Sequence, residues 1–420
     1  MGRKLQSIRG VHDGLPPEVT RWRHIERAAR DLFARYGLHE VRLPVLEPAE
    51  LFVRSIGRET DIVSKEMYRF TDQGGDDLCL RPEGTAGAVR AWLQAGLMRA
   101  GVQRWYYMGP MFRRERPQKG RLRQFQQIGV ELFGVAGPAE DVEVLAMAWA
   151  LIEALDVSDV RMEINSLGCP ACRSVYRDRL VGFLQAHRDR LCDTCCTRID
   201  LNPLRVLDCK VESCRAELLH APEMLSHLCT PCAAHFGAVK AGLKALGLPF
   251  VVNARIVRGL DYYSRTAFEI VTDCLGAQGT VIAGGRYDGL IAELGGPATP
   301  AIGFALGLER LAMLLPEHPL PAPDVAVVAL GDRAQSHGLA LAQQMRKAGL
   351  AVVHCGSGSA RVLFKRADRE GARFVAVLGD DEISHGVVSL KDMQDGSQQQ
   401  MTAAEAIALC QHVSVQEKGL

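Results

Sequence analysis

Apolar residues mark out the elements before any chemistry is considered. In residues 21–36 (RWRHIERAARDLFARY), Trp22, Ile25, Ala29, Leu32, Phe33 and Tyr36 recur at helical spacing, and Gly37 is placed to end the helix. The next segment, YGLHEVRLPVLEP, is short and β-like; Pro44 inside it suits an edge or an interface rather than a central strand. Residues 86–98 predict a helix, 104–112 (RWYYMGPMF) and 124–134 two strands, and 139–155 another helix. Residues 113–123 therefore form the loop of a hairpin. A β-rich tract covers 250–283, and a helix is expected near 306–315. The segment 316–324 (PEHPLPAPD) carries four prolines and reads as a stiff linker. Beyond it, DVAVVALG, a helix near 334–348, AVVHCG, a helix near 360–370, RFVAVLG and a helix near 402–411 alternate as in an α/β domain. The expected organisation is an α+β domain over 1–320 built on an antiparallel sheet, a cysteine-rich helical module inserted at 169–236, and an α/β domain over 325–420.

Composition narrows the function classes. A chain of 420 residues exceeds one compact core, and 47% hydrophobic with 24% charged residues is ordinary for a globular protein. Its apolar runs are too short to predict a membrane span, and the N-terminal stretch lacks the apolar core of a secretory signal. The cytoplasm is expected, with no membrane partner. There, thirteen cysteines point to thiol or metal chemistry rather than disulfides.

Formal net charge is only +1, yet Arg113, Arg114, Arg116, Lys119, Arg121 and Arg123 crowd eleven positions with Glu115. Guanidinium forks on such a loop suit phosphate oxygens, although a solvated charged hairpin has the same composition. Gln127 and Glu131 fall on one face of the strand that follows. A carboxylate on an interior strand face needs a partner, and a bound cation or N–H donor would serve. Three further stretches concentrate polar groups. In LRPEGTAGAVRA (80–91), Glu83 and Thr85 precede a helix, where Thr85 could equally be a cap. In RGLDYYSRTAFEI (258–270), Arg258, Asp261, Tyr262 and Tyr263 precede a strand. In AIGFALGLERLAML (301–314), Gly303 and Gly307 allow close approach of a flat or phosphorylated ligand, and an arginine enters a helix.

Taken in order, these stretches are similar to the signatures of one family. FRRE (112–115), the basic loop and RQFQQIGVELFG resemble motif 2 of the class II aminoacyl-tRNA synthetases. AIGFALGLER resembles motif 3, with Ala305 where a glycine is usual, and YGLHEVRLPVLEP resembles motif 1. LRPEGT and RGLDYYSRT resemble the two signatures of the histidyl branch. The resemblance runs over essentially the whole chain. It implies a ligase that uses ATP and Mg²⁺ to activate histidine and charge histidine tRNA, working as a homodimer through the motif 1 region. The C-terminal domain would bind the anticodon. Arg113 and Arg258 would act as catalytic cations at the α-phosphate. Glu83, Thr85, Gln127, Glu131, Tyr262, Tyr263 and Tyr287 would join them in holding histidine, with Glu131 and Tyr263 on the imidazole nitrogens. Glu115, Arg121, Phe125 and Arg310 would hold ATP with Arg113, Phe125 stacking on adenine. Arg116 and Gln118 would meet the tRNA acceptor end. A histidine-sensing regulatory paralogue, a subunit of ATP phosphoribosyltransferase, would instead lack the C-terminal domain and carry eroded motifs.

Nine of the thirteen cysteines fall within 169–236. The pairs Cys169-x2-Cys172 and Cys192-x2-Cys195 have zinc-ribbon spacing, and Cys209-x4-Cys214 with Cys229-x2-Cys232 would make a second set. Structural Zn²⁺ and reduced thiols in a small helical module both fit, and neither is required for the chemistry.

Overall fold

Period-two alternation in two long strands organises the larger of two units into which the chain divides, Met1–His318 and Pro319–Leu420. The computed structural model describes the chain apart from residues 1–4, 58–59, 210, 257–259, 261, 277–278, 318–319 and 419–420. Strands of the first unit are β1 (His39–Glu40), β2 (Leu46–Pro48), β3 (Tyr68–Thr71), β4 (Asp77–Leu80), β5 (Gln103–Phe112), β6 (Gln124–Phe133), β7 (Val160–Ser166), β8 (Val251–Val252), β9 (Ser264–Thr272), β10 (Thr280–Arg286) and β11 (Ala301–Gly307). Its helices are α1 (Glu18–Arg35), α2 (Ala49–Ile56), α3 (Thr85–Gln94), α4 (Pro138–Ala154), α5 (Pro170–Ala186), α6 (Asp193–Leu201), α7 (Glu212–Leu218), α8 (Thr230–Ala245), α9 (Leu290–Glu293) and α10 (Leu308–Ala312).

Eight strands form one sheet in the order β1-β5-β6-β11-β10-β9-β7-β8. Its inner pairs are antiparallel, and only the outermost ones, β1 with β5 and β7 with β8, are parallel. Successive side chains leave opposite faces of a strand. Accordingly Tyr106, Ile128, Val130, Leu132, Ile302 and Phe304 pack with Ile25 and Phe33 of α1 and Leu145 and Leu151 of α4. Trp105, Tyr107, Met111 and Phe133 pack on the other side with Phe52 of α2 and Val89 and Trp92 of α3. Gln127 and Glu131 share that second face. A small antiparallel sheet, β2-β4-β3, leaves Leu46 and Phe70 exposed.

Three local expectations are corrected. The stretch expected as helix near 306–315 begins as β11, because Ile302, Phe304 and Leu306 alternate into the core while β11 pairs with β6 and β10; only Leu308–Ala312 is helical. Helix α3 ends at Gln94 rather than 98, where Gly96 adopts φ +69°. The cysteine pairing also differs. Sulfurs of Cys169, Cys172, Cys229 and Cys232 gather in one group and those of Cys192, Cys195, Cys209 and Cys214 in another. Cys169 and Cys229 each precede a helix, α5 and α8, whose N-termini meet; Cys192 heads α6 and meets Cys209 and α7 instead. The set Cys169, Cys172, Cys192, Cys195 is therefore divided between two groups. This module has its own core, in which Tyr176, Leu180, Leu184, Ile199, Val206 and Leu218 surround four of the cysteines.

The second unit contains β12 (Val325–Ala329), β13 (Val352–His354), β14 (Phe374–Leu378), β15 (Val388–Asp392) and β16 (Gln398–Met401), with α11 (Asp332–Lys347), α12 (Ala360–Glu370), α13 (Asp380–His385) and α14 (Ala403–Lys418). Its sheet order is β13-β12-β14-β15-β16, parallel through β14 and antiparallel beyond. The alternation of strands and helices predicted the parallel part. Of the antiparallel edge, β15 buries Val388 and Leu390, whereas β16 is the exposed polar run at 398–400 and carried no apolar signal. Among the described residues no helix is long and apolar enough to cross a membrane.

Candidate active site

The second face of the large sheet holds a cavity of ≈ 200 Å³ in the first unit. One end is cationic, with Arg113, Arg121 and Arg310; the other presents Glu83, Gln127, Tyr107, Tyr262 and Tyr263. The strands explain this division. Arg113 leaves the end of β5 beside the basic loop, whereas Gln127 and Glu131 lie deeper along β6.

Glu131 is 1% exposed. Three hydroxyls converge on its carboxyl group: Thr85 Oγ1 at 2.7 Å, Tyr107 Oη at 3.1 Å, and Tyr287 Oη in a short hydrogen bond. Burial pushes its pKa up to about 8, against the opposing pull of the Tyr287 and Thr85 hydrogen bonds. The partner expected from a ligand is thus already supplied by the protein. Glycine at 303 makes the placement feasible, since a Cβ there would collide with the Glu131 carboxylate and the Val130 carbonyl across the β6–β11 pair. Gly303 therefore accommodates Glu131 rather than the approach of a ligand.

Glu83 is buried at the start of α3, where its two oxygens accept from the backbone N–H groups of Thr85 (2.6 Å) and Ala86 (2.9 Å). It satisfies two donors of the first helical turn. Capping thus falls to Glu83 and not to Thr85, which is the first helical residue and donates to Glu131. Burial raises the pKa of Glu83 as well, and the two N–H bonds oppose the rise. Gln127 lines the cavity; among the described residues neither its buried Oε1 nor the buried Tyr262 hydroxyl has a hydrogen-bond partner.

At the cationic end, Arg113 Nε donates to the Pro82 carbonyl (2.9 Å), and its guanidinium sits 5.4 Å from the Phe125 ring centroid. Arg121 pairs with Glu115 at 2.6 Å. Arg310 ties the basic loop to the sheet, donating to the carbonyls of Gly120 (2.7 Å) and Thr280 (3.0 Å). Burial, then the neighbouring Arg121, lowers its pKa.

The structure brings Glu83, Thr85, Arg113, Glu115, Arg121, Phe125, Gln127, Tyr262, Tyr263 and Arg310 to this cavity. Glu131 and Tyr287, both expected at the site, are each 1% exposed, hydrogen-bonded to one another, and not among the residues that line this cavity. Arg286, next to Tyr287, is fully buried and bound to Asp141 (2.8 Å), which also accepts from His235 and Thr266. Arg116 lies in a separate open recess with Arg9, Arg114 and Arg123, and Gln118 faces Arg121 across a tight turn. Arg258 and Asp261 lie outside the described residues. Sequence reasoning missed Tyr107 and Glu309. Tyr107 shares the face of Glu131 through the Tyr107↔Gly129 register, and Glu309 adjoins Arg310; burial pushes its carboxyl up to about 7.

Among the described lining residues there is no cysteine, histidine, serine or lysine. The opposed charges at the two ends can orient a polar ligand and stabilise charge on it.

Comparison with known proteins matches residues 10–311 to the family model described as histidyl-tRNA synthetase and residues 324–412 to one described as an anticodon binding domain. A histidine–tRNA ligase of Trichlorobacter lovleyi is 50% identical over 398 residues, covering 94% of this chain and 95% of that protein. One from a Synechococcus species is also 50% identical, covering 97% and 96%. The crystal structure of apo histidyl-tRNA synthetase from S. aureus superposes with a TM-score of 0.81 at 33% identity, covering 97% of this chain and 99% of that one.

Proposed function

The chain belongs to the histidyl-tRNA synthetase family, and from that premise we propose that its cavity converts histidine and ATP to histidyl-adenylate and passes the histidyl group to the 3′ end of histidine tRNA. It is a ligase, histidine–tRNA ligase. The observation that carries the site assignment is the two-ended cavity: arginines at one end, Glu83, Gln127 and three tyrosines at the other, where Thr85 and Tyr107 of the lining also hydrogen-bond the buried Glu131 carboxyl.

Imidazole offers one donor and one acceptor, or two donors when protonated. Glu131 and Tyr263 complement those nitrogens, with Thr85, Tyr107 and Tyr287 fixing Glu131 and Tyr262 packed against Tyr263. Glu83, Thr85 and Gln127 would hold the α-amino and carboxylate groups. In activation, a histidine carboxylate oxygen bonds to the α-phosphorus as the bond to pyrophosphate breaks. Arg113 is positioned for the charge that builds there, and Arg258 is assigned beside it by resemblance. Phe125 would stack on adenine, Glu115 and Arg121 would complete the ATP site, and Arg310 would take the γ-phosphate side. Mg²⁺ suits oxygen donors, and Glu115 and Glu309 present carboxylates to the cavity. When bound, the ion would neutralise phosphate charge.

In this reading residues 1–320 form the catalytic domain and 325–420 the anticodon-binding domain. Arg116 and Gln118, outside the cavity, would meet the tRNA acceptor end. The enzyme is cytoplasmic and homodimeric through the motif 1 region, and the exposed Leu46 and Phe70 nearby support an apolar partner face. The histidine-sensing alternative is disfavoured by the anticodon-domain match. Amino-acid-dependent ATP–pyrophosphate exchange without tRNA separates the two. Exchange with histidine alone is expected; its absence from folded, magnesium-supplied protein would overturn the assignment.

A further inference from the structure

We propose that the inserted module carries two separate zinc centres, one of Cys169, Cys172, Cys229 and Cys232 and one, nested inside it in sequence, of Cys192, Cys195, Cys209 and Cys214.

The sulfur positions are the main support. Within each group all four sulfurs lie within 4.8 Å of one another. Individual separations are 3.6 Å for Cys169–Cys172 and 3.9 Å for both Cys169–Cys229 and Cys192–Cys209. A tetrahedral zinc with Zn–S bonds of ~2.3 Å spaces its sulfurs ~3.8 Å apart. A disulfide would need ~2.05 Å, and all eight cysteines are free. Four soft thiolates in a tetrahedron select zinc, with mononuclear iron the nearest competitor.

The backbone is arranged for thiolates too. Cys169, Cys192 and Cys229 each occupy the N-cap of a helix, α5, α6 and α8, so that Cys172, Cys195 and Cys232 fall in the first turn. Backbone N–H groups also donate to sulfur, Cys229 to Cys172 Sγ and Cys192 to Cys214 Sγ, both at 3.1 Å. Such donors stabilise a thiolate on a metal. Glycine precedes the first group, where a Cβ on Gly168 would come within 2.6 Å of Cys172 Cβ.

A need for the metal is visible in the core. Four of the module's buried core residues, Cys172, Cys195, Cys214 and Cys232, are themselves cysteines, so the apolar cluster is small for an independent fold. The first centre would close the neck where the chain leaves and rejoins the large sheet. The second would fasten α6 to α7 within the module. Each Zn²⁺ displaces four thiol protons and leaves a tetrathiolate.

The test is metal analysis of the full-length protein purified without chelator, by mass spectrometry of the acid digest. Two zinc per chain are expected, falling to one in Cys172→Ser and one in Cys195→Ser, and unchanged in Cys196→Ser, whose sulfur belongs to neither group. Should a variant fail to fold, wild-type protein stripped of metal under reducing conditions and titrated with Co²⁺ gives the same decision. Tetrahedral ligand-field bands and thiolate charge transfer saturating at two equivalents are expected. Stoichiometric iron would overturn the zinc identity. No metal, with no cobalt spectrum from the reduced protein, would reduce the groups to packed thiols and overturn both centres.

Discussion

In the proposed site, recognition of the imidazole rests on one side chain, Glu131. With its pKa near 8, its carboxyl is largely protonated at neutral pH. Glu131→Gln therefore resembles the resting form, and its melting temperature should stay close to that of the parent. Histidine-dependent exchange should nevertheless fall by ~10²-fold or more, because an amide cannot become the anionic partner of an imidazolium. Loss of stability and activity together would mean that Glu131 is structural. A pH profile follows from the same group. Free histidine gains its ring proton below ~6.5, and Glu131 loses its own above about 8. If the bound pair shares one proton, the half-saturating histidine concentration should be lowest between those values and rise on both sides; a flat response would contradict the pairing. The raised pKa also acts on folding: its contribution to stability is full below the ordinary carboxyl range and is lost as pH rises through about 8. Gln118 makes the contrasting case, lying outside the cavity on a tight turn. Gln118→Ala should weaken tRNA charging and spare exchange; equal loss in both assays would remove it from the acceptor contact.

Individual elements decide how closely a residue may approach its neighbour. Gly303 and Gly307 lie on the same strand, β11, but only the first is crowded. Gly303→Ala drives a methyl into Glu131 and should cost ~1–3 kcal/mol in urea unfolding. At Gly307 an added Cβ would meet nothing nearer than Arg310 at 3.9 Å, so Gly307→Ala should stay within ~0.5 kcal/mol of the parent. Equal costs would mean that Glu131 moves aside freely. The same strand shows where a sequence stops being legible. In β5 and β6, large side chains alternate cleanly and both strands were evident. In AIGFALG the small residues dilute the alternation, so the strand goes unread and the helix expected near 306–315 takes in its last two residues. Within the site, Arg113, Gln127 and Arg310 could be read because each belongs to a distinctive run. Tyr107 could not, since its reach to Glu131 depends on which residue of β6 lies opposite it. Depth is not legible in GGRYDG or in the run holding Glu131; only the packed sheet buries Tyr287 and Glu131 together beneath the cavity lining. Cysteine spacing found the ligand types and missed their partition, because helix N-termini distant in sequence bring the sulfurs together.

At the scale of the molecule, activation and tRNA reading are assigned to different units. A chain ending at residue 317 should retain histidine-dependent exchange and lose most tRNA charging; loss of exchange as well would show that the first unit depends on the second. The inserted module raises a different matter, the order in which the chain assembles. Strand β7 pairs with β9 so that Ser166 lies opposite Thr266, a hundred residues further on. Between them the sulfurs of Cys169 and Cys229, sixty residues apart in sequence, meet at 3.9 Å. To the sheet, that whole excursion is a short turn once its neck has formed. Loop-closure cost grows by ~0.6 kcal/mol per doubling of length, so shutting the neck first more than halves the loop that β7 and β9 must close. If the proposed metal centre closes this neck before β7 and β9 pair, the module becomes a folding shortcut for the sheet, and cysteines with no part in the proposed reaction ease the pairing of its distant strands.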